Sequence, residues 1–216
     1  KYYIHLIRVM RLNIGDEVTL FNQKSGQWLA IINNIKKNVV SAEVIEKISS
    51  PITSSKISLL FSPIKYLNSE SIIRQSTEMG INNIFPTAFQ RTVINKININ
   101  KFEHYAIGAS QQCGRTSIPN IKALEKIENR VKLLSDRNIL MFDENLKGIK
   151  INEIKFDNPS KDLIVIIGPE GGFVEEERNL ISKNSKSFSN VRLGHNILKS
   201  DTAVIAALSL TFHYFS

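Results

Sequence analysis

Ile167-Gly168-Pro169-Glu170-Gly171-Gly172-Phe173 and Leu193-Gly194-His195-Asn196-Ile197-Leu198-Lys199-Ser200-Asp201-Thr202-Ala203 are the stretches on which the fold turns. Each has a β-branched or apolar approach, a glycine-bearing turn and then a helical pattern. Two such turns can meet at the carboxyl edge of one parallel sheet, where open α/β folds bind ligands. The C-terminal third is therefore expected to hold the chemistry.

The same residues narrow the ligand. Neither the Gly-x-Gly-x-x-Gly dinucleotide fingerprint nor the Walker phosphate loop is present. The helix after the first turn opens with Glu175, Glu176 and Glu177. Acids suit the positive end of a helix dipole and compete with a phosphate for that place. A ligand without phosphate fits better, one with a cationic centre and an adenine read by backbone groups. S-adenosylmethionine meets that description. Ordinary helix stabilisation is the plainer reading of the three acids.

The chain has 216 residues, with 42% hydrophobic and 22% charged content, values of a globular protein. That length allows a sizeable core and two domains. No apolar run approaches the roughly 20 residues of a membrane span, and no signal peptide is visible. The single Cys113 excludes an intrachain disulfide and a cysteine zinc cage, and fits a reducing cytoplasm. No membrane association and no metal are expected. Net charge is +8, which favours a polyanionic partner such as a nucleic acid. Part of that excess has a plainer source, since Lys, Asn and Ile abound as under an AT-rich coding bias.

Residues 1–52 read as a small β-rich unit of short strands (17–21, 28–32, 39–45) spaced by turns, which suggests a compact barrel. A short helical pattern over Ile4 to Leu12 precedes them. The unit's bases (Lys1, Arg8, Arg11, Lys24, Lys36, Lys37, Lys47) outnumber its acids (Asp16, Glu17, Glu43, Glu46), as in an RNA-holding module. Ser49 to Ser55 is the expected linker. In 53–216 strands and helices alternate. Strands are expected at 56–61, 83–86, 138–142, 163–168 and 189–193, and helices at 69–79, 100–113 and 200–214. Gly80 stands where a helix-ending glycine belongs. Alternation of this kind means a mainly parallel α/β sheet.

Several segments carry a resemblance. His5-Leu6-Ile7-Arg8-Val9-Met10-Arg11-Leu12 with Gly15-Asp16, Thr77-Glu78-Met79-Gly80-Ile81, Arg91-Thr92-Val93, and Gln112-Cys113-Gly114-Arg115 with Pro119 stand in order before the two glycine segments. Together they resemble the RsmE family of 16S ribosomal RNA uridine-N3 methyltransferases, in the SPOUT superfamily. The resemblance implies an N-terminal PUA-like β-barrel and an α/β SPOUT domain whose last segment threads a trefoil knot. It implies a homodimer, a substrate uridine in 16S ribosomal RNA or the small ribosomal subunit, and S-adenosylmethionine held by the knot loops. The cofactor residues so implied are Met141, Phe142 and Glu144; Gly168, Glu170, Gly171 and Gly172; and Arg192, Leu193, Gly194, Ile197, Leu198 and Thr202. The chain departs from the family's usual Ile-Leu-Arg-x-Glu-Thr-Ala by Lys199 and Asp201, which keep the charges and change the reach.

Uridine N3 bears a weakly acidic proton, so transfer of a methyl to it needs that proton removed and the imidate charge stabilised. Lys199 and Asp201 are the candidate catalytic pair: the lysine for the charge, the aspartate to orient it or accept the proton. In the plainer reading Asp201 or Ser200 caps the last helix and Lys199 is a solvated flank. Arg8, Arg11, Arg91 and Arg115 are candidates for RNA phosphates or a splayed base, and Cys113 for a small packing residue. Two other functions stay open: a SPOUT enzyme acting elsewhere on RNA, such as a ribose 2′-hydroxyl, and a non-catalytic RNA-binding or ribosome-assembly factor.

Overall fold

The computed structural model describes residues 3–51, 55–64, 66–145, 147–156 and 162–215. Lys1 and part of the expected linker, 52–54, lie outside them. Two compact units emerge, Lys1–Thr53 and Ser54–Ser216.

In the first unit a wide helical turn, Ile4–Val9, precedes three antiparallel strands, β1 (Glu17–Asn22), β2 (Gly26–Lys36) and β3 (Val39–Ser49). The order is β1-β2-β3. Among the described residues β1 and β3 do not pair with each other. Register shifts interrupt the β2–β3 ladder at three places; bulges of this kind bend a strand and raise its twist. Lys37 and Asn38 both have positive φ, 47° and 67°, which gives the two-residue hairpin a twist matched to its strands. At the other hairpin the Asn22 carboxamide accepts the N–H groups of Lys24 and Ser25. Gly26 follows at φ 87°, where a Cβ would collide with the Ser49 carbonyl.

The second unit is built on a seven-stranded parallel sheet with the order β10-β8-β9-β4-β5-β6 and β7 paired to the end of β5. In chain order its elements are β4 (Ile57–Phe61), α1 (Tyr66–Glu78), β5 (Asn83–Ala88), α2 (Ile99–Cys113), β6 (Asn120–Ile121), β7 (Glu125–Lys126), α3 (Val131–Leu134), β8 (Asn138–Phe142), β9 (Leu163–Ile167), α4 (Glu175–Lys183), β10 (Ser187–Val191) and α5 (Ser200–Phe215). Strands β4, β8 and β9 are buried throughout, as expected of a parallel sheet covered on both faces. Their residues alternate between two cores. Leu59, Phe61, Leu140, Phe142, Val165 and Ile167 pack beneath α1, α2 and α5. Leu60, Ile139, Met141, Ile164 and Ile166 pack with Leu134, Phe173 and Ile181 on the other face.

Helix α1 ends as its glycine foretells. Gly80 has φ 99°, its N–H donates to Thr77 O at 3.0 Å, and Ile81 N–H donates to Ser76 O at 3.2 Å. This is the paired Schellman arrangement that satisfies terminal carbonyls. Strand β10 sits two residues earlier than expected, because Arg192 and Leu193 leave the sheet for a loop. Ile149 bridges Val191 on the side of β10 away from β8. The segment after β8 therefore passes the carboxyl end of β10, and the chain leaving β10 returns toward Phe142 and Gly168. Among the described residues no helix is long and apolar enough to cross a membrane.

Candidate active site

Phe142 and Ile167 are directly paired last residues of β8 and β9, so the segments that follow leave the sheet side by side. Phe142, Asp143 and Glu144 form one wall of a cleft of about 470 Å3, open solvent at its mouth included, and Ile167, Gly168 and Pro169 form the second. The third comes from the loop after β10 and the start of α5: Leu193, Asn196, Ile197, Leu198, Ser200 and Ala203.

Close approach explains the glycines. Gly172 N–H donates to Pro169 O at 2.9 Å and closes a tight turn. Gly172 has φ 74°, and a Cβ there would run into the Glu144 carboxylate. A Cβ on Gly168 would stand 2.8 Å from the buried Phe173 ring. Arg91 lies along the turn from outside, its stem against Gly171 and its Nη1 donating to Gly171 O at 2.6 Å.

An ion network backs the first wall. Arg178 Nε and Nη2 donate to Asp143 Oδ2 at 2.6 Å and Oδ1 at 3.1 Å, and Nη2 also reaches Glu144 Oε1 at 3.2 Å. This two-pronged geometry is the strong form of an arginine–carboxylate pair. Burial on its own would raise the Asp143 carboxyl's pKa; the Arg178 bonds and the Asn145 N–H outweigh it and hold the pKa below its ordinary value. Glu144 goes the other way, raised by burial and by the neighbouring Asp143 charge. Of the two carboxylates in this wall, Glu144 is thus the more easily protonated. Buried Glu177 supplies a second brace: Oε1 accepts Gln90 N–H at 2.6 Å and Oε2 accepts Val174 N–H at 3.0 Å. It caps α4 and ties the Gln90–Arg91 corner to the glycine turn.

The expected site residues divide accordingly. Phe142, Glu144, Gly168, Leu193, Ile197 and Leu198 line the cleft. Met141 does not, because alternation along β8 turns its side chain into the opposite core. Glu170, Gly171 and Gly172 shape the turn without lining the cleft, and Thr202 is exposed on α5. Arg192 and Gly194 border a different pocket. Lys199 is exposed; its carbonyl accepts Ala203 N–H at 2.8 Å as α5 begins. Asp201 Oδ1 accepts Thr202 N–H at 2.9 Å. Both flank Ser200, which lines the cleft.

Among the candidate RNA contacts, Arg8 and Arg11 are exposed in the first unit, Arg11 with φ 58°. Arg115 differs from expectation: its guanidinium donates to Thr77 O and Ile81 O, both at 2.7 Å, and to Ser117 Oγ at 2.8 Å. It braces the end of α1, and burial draws its pKa below the ordinary value. Cys113 is exposed, not packed. Sequence reasoning missed Arg178, Glu177 and Ala203 as site residues. The helical spacing of Ser200 and Ala203 was an available signal for the last, since residues three apart share a face.

Comparison with known proteins bears on this cleft. A model of the RNA methyltransferase domain matches residues 51–211, and one of the RNA methyltransferase PUA domain matches residues 3–45. A ribosomal RNA small subunit methyltransferase E from Rickettsia conorii is 32% identical over 213 residues, spanning 96% of this chain and 85% of that one. The chain belongs to the ribosomal RNA small subunit methyltransferase E family. A structure from Legionella pneumophila in complex with the bound cofactor SAM is 28% identical, with a TM-score of 0.84 over 98% of this chain and 88% of that one. A family member from Neisseria gonorrhoeae bound to S-adenosyl methionine, 23% identical, shares the fold at a TM-score of 0.87, over 99% of this chain and 90% of that one. Methyltransferase E members therefore share the α/β fold with a PUA domain at the N-terminus, and the chain is an RNA methyltransferase.

Proposed function

We propose that the protein methylates N3 of a uridine in 16S ribosomal RNA with S-adenosylmethionine as donor. The observation that carries this reading is the convergence of Phe142–Glu144, Ile167–Pro169 and Leu193–Ala203 on one cleft at the carboxyl ends of β8 and β9. The residues fit the donor. Phe142, Ile167, Leu193 and Leu198 offer apolar walls for a base, and the turn glycines let backbone come close. Glu144 stands where a carboxylate can meet hydroxyl or cationic groups. When bound, S-adenosylmethionine supplies an electrophilic methyl on a sulfonium.

The chain's own tasks follow from the chemistry. Lys199, exposed beside Ser200, is assigned the negative charge that develops on a uracil oxygen, and Asp201 the orientation of that lysine or the N3 proton. Exposed Arg8, Arg11 and Arg91 are assigned to RNA, with residues 1–52 as the RNA-holding domain and 53–216 as the methyltransferase domain. The return of the chain between Ile149 and Gly168 supports a trefoil knot. We place the enzyme in the cytoplasm as a homodimer; light scattering at micromolar concentration tests the dimer, and a monomer would remove it.

Calorimetric titration with S-adenosylmethionine, followed by nucleoside analysis of 16S ribosomal RNA after reaction, tests the reading. Micromolar binding and an N3-methylated uridine are expected. A folded protein that binds no donor would transfer the case to a non-catalytic RNA-binding factor. The engagement of Asp201 with its own helix favours that second reading, and Lys199→Arg separates the two: turnover rises if the chemistry is detuned and stays absent in a pure binder.

A further inference from the structure

The loop that follows β10 has a second side. Away from the cofactor cleft it borders an open pocket, walled by Ile151, Leu193 and Leu210 and rimmed by Lys150, Arg192 and His195. Leu193 is the one residue it shares with the cleft, so a single turn of chain divides the two.

The backbone beneath the rim is fixed. Ile149 N–H donates to Asn190 O at 3.0 Å, and Arg192 N–H donates to Ile149 O at 3.1 Å. A Cβ on Gly148 would stand 2.6 Å from the Val191 carbonyl carbon, so glycine lets the segments that carry Lys150 and Arg192 close up. No carboxylate lines the pocket. The neighbouring Glu153 is turned onto the Lys150 backbone N–H at 3.3 Å. Among the described residues neither the Lys150 nor the Arg192 side chain has an ion-pair partner. Gly194 has nothing within 4 Å of where a Cβ would stand, which leaves the backbone beside the rim open. Lys150 and Arg192 thus line one pocket without a carboxylate among its lining residues, and an anion placed there would be attracted by both.

We propose that this pocket binds a phosphate of the RNA strand flanking the nucleotide presented to the cofactor cleft, with Lys150 and Arg192 as its charged ligands and His195 and Asn152 as polar ones. The proposal rests on the RNA methyltransferase reading for its ligand. It gives the loop two jobs, one on each side. Phosphate contacts position a nucleic acid without reading its sequence, which suits a pocket adjoining a cleft that takes a single base.

The test is the salt dependence of binding to a 16S ribosomal RNA transcript, measured by filter retention for the intact chain, Lys150→Gln and Lys150→Gln/Arg192→Gln. Each lost contact with single-stranded RNA lowers the slope of log K against log salt by about 0.7. The single variant should lose about 0.7 and the double about 1.4, with at least tenfold weaker binding at low salt. Unchanged slopes in folded variants would overturn the proposal, as would conversion of a dimer to a monomer at constant slope, which would assign the rim to a second copy. Saturable heat on titrating inorganic phosphate without RNA would make it a free-anion site and overturn the RNA assignment. Calorimetry keeps the two readings apart. Lys150 lies outside the cleft, so Lys150→Gln should bind S-adenosylmethionine like the parent; if the parent binds none while the slopes still fall, the cofactor reading fails and the phosphate site stands.

Discussion

Gly172 bears two demands that act on different atoms. Its φ of 74° is a backbone conformation that side chains adopt at a cost of about 1–3 kcal/mol. Its missing Cβ leaves room for the Glu144 carboxylate. Gly172→Ala therefore pays strain in the turn and pushes Glu144 away from Arg178. A fall in melting temperature of about 2–8 °C is expected, with roughly tenfold weaker S-adenosylmethionine binding by calorimetry, about 1.4 kcal/mol. Gly171→Ala is the contrast. Its Cβ would only press on the Arg91 stem at 3.2 Å, with no positive φ, so it should stay near the parent in both measurements. The glycines themselves were legible in the sequence, because a run of them between a strand and a helix has few other uses. Which glycine bears the greater demand was not, since it depends on where Glu144 points from a different strand. The same limit hid Arg178, whose partners are 34 and 35 residues away in the chain. Met141 keeps its side chain out of the cleft for a simpler reason: neighbours in a strand face opposite ways, so Met141 and Phe142 cannot both line one cleft with their side chains.

Between elements, two arginines set how rigidly the site is framed. Arg178 joins α4 to the end of β8. With Asp143 held below its ordinary pKa, the pair contributes stability that is present above the unfolded carboxyl's value and lost as pH falls through the lower folded one. Glu144 carries the opposite sign, since its raised pKa means ionisation is disfavoured in the fold and protonation relieves it as the pH drops. Arg178→Met removes the counter-charge from buried Asp143. A loss of about 3 kcal/mol at neutral pH, the lower end for a broken buried pair, is expected in urea unfolding. The acid-unfolding midpoint followed by circular dichroism should move to higher pH, because the Asp143 pKa rises once Arg178 no longer helps to oppose burial. A midpoint that stays or moves lower would mean Arg178 is not what holds Asp143 ionised. Arg115 makes a comparable brace at the end of α1. Arg115→Ala should cost about 2–3 kcal/mol through its lost charge-assisted bonds and leave the salt slope of RNA binding unchanged. A lower slope with unchanged stability would restore it as an RNA contact. Sequence supplied the end of α1 through Gly80, and strand existence in β4, β8 and β9 through their short, mainly apolar runs. It did not supply β6, β7 or α3, which are too short to show a period and owe their form to neighbours.

The two units differ sharply in what they bury. Every member of both hydrophobic cores lies at or beyond Ile57. In the first unit the fully buried apolar side chains among the described residues are Ala30 and Ile32, while Ile4, Val9, Met10, Ile14, Val39, Val44, Ile45 and Ile48 are each at least half exposed. A three-stranded sheet with so little core is marginal alone, and small domains in general bury too small a fraction of their surface. The second unit has a complete inventory: a sheet covered on both faces, the whole lining of the cleft, and the Arg178, Glu177 and Arg115 braces. Residues 54–216 expressed alone should therefore unfold in one cooperative transition and bind S-adenosylmethionine within a few-fold of the full chain. Residues 1–53 alone should show no cooperative melt. Because Arg8, Arg11 and much of the basic surface go with the removed piece, the shortened protein should methylate 16S ribosomal RNA far more slowly, with the loss in KM more than in kcat. Retention of full kcat/KM by residues 54–216 would overturn the assignment of RNA holding to the N-terminal unit. Loss of donor binding on truncation would mean that the cleft, closed though its lining is within one unit, depends on the other for its shape.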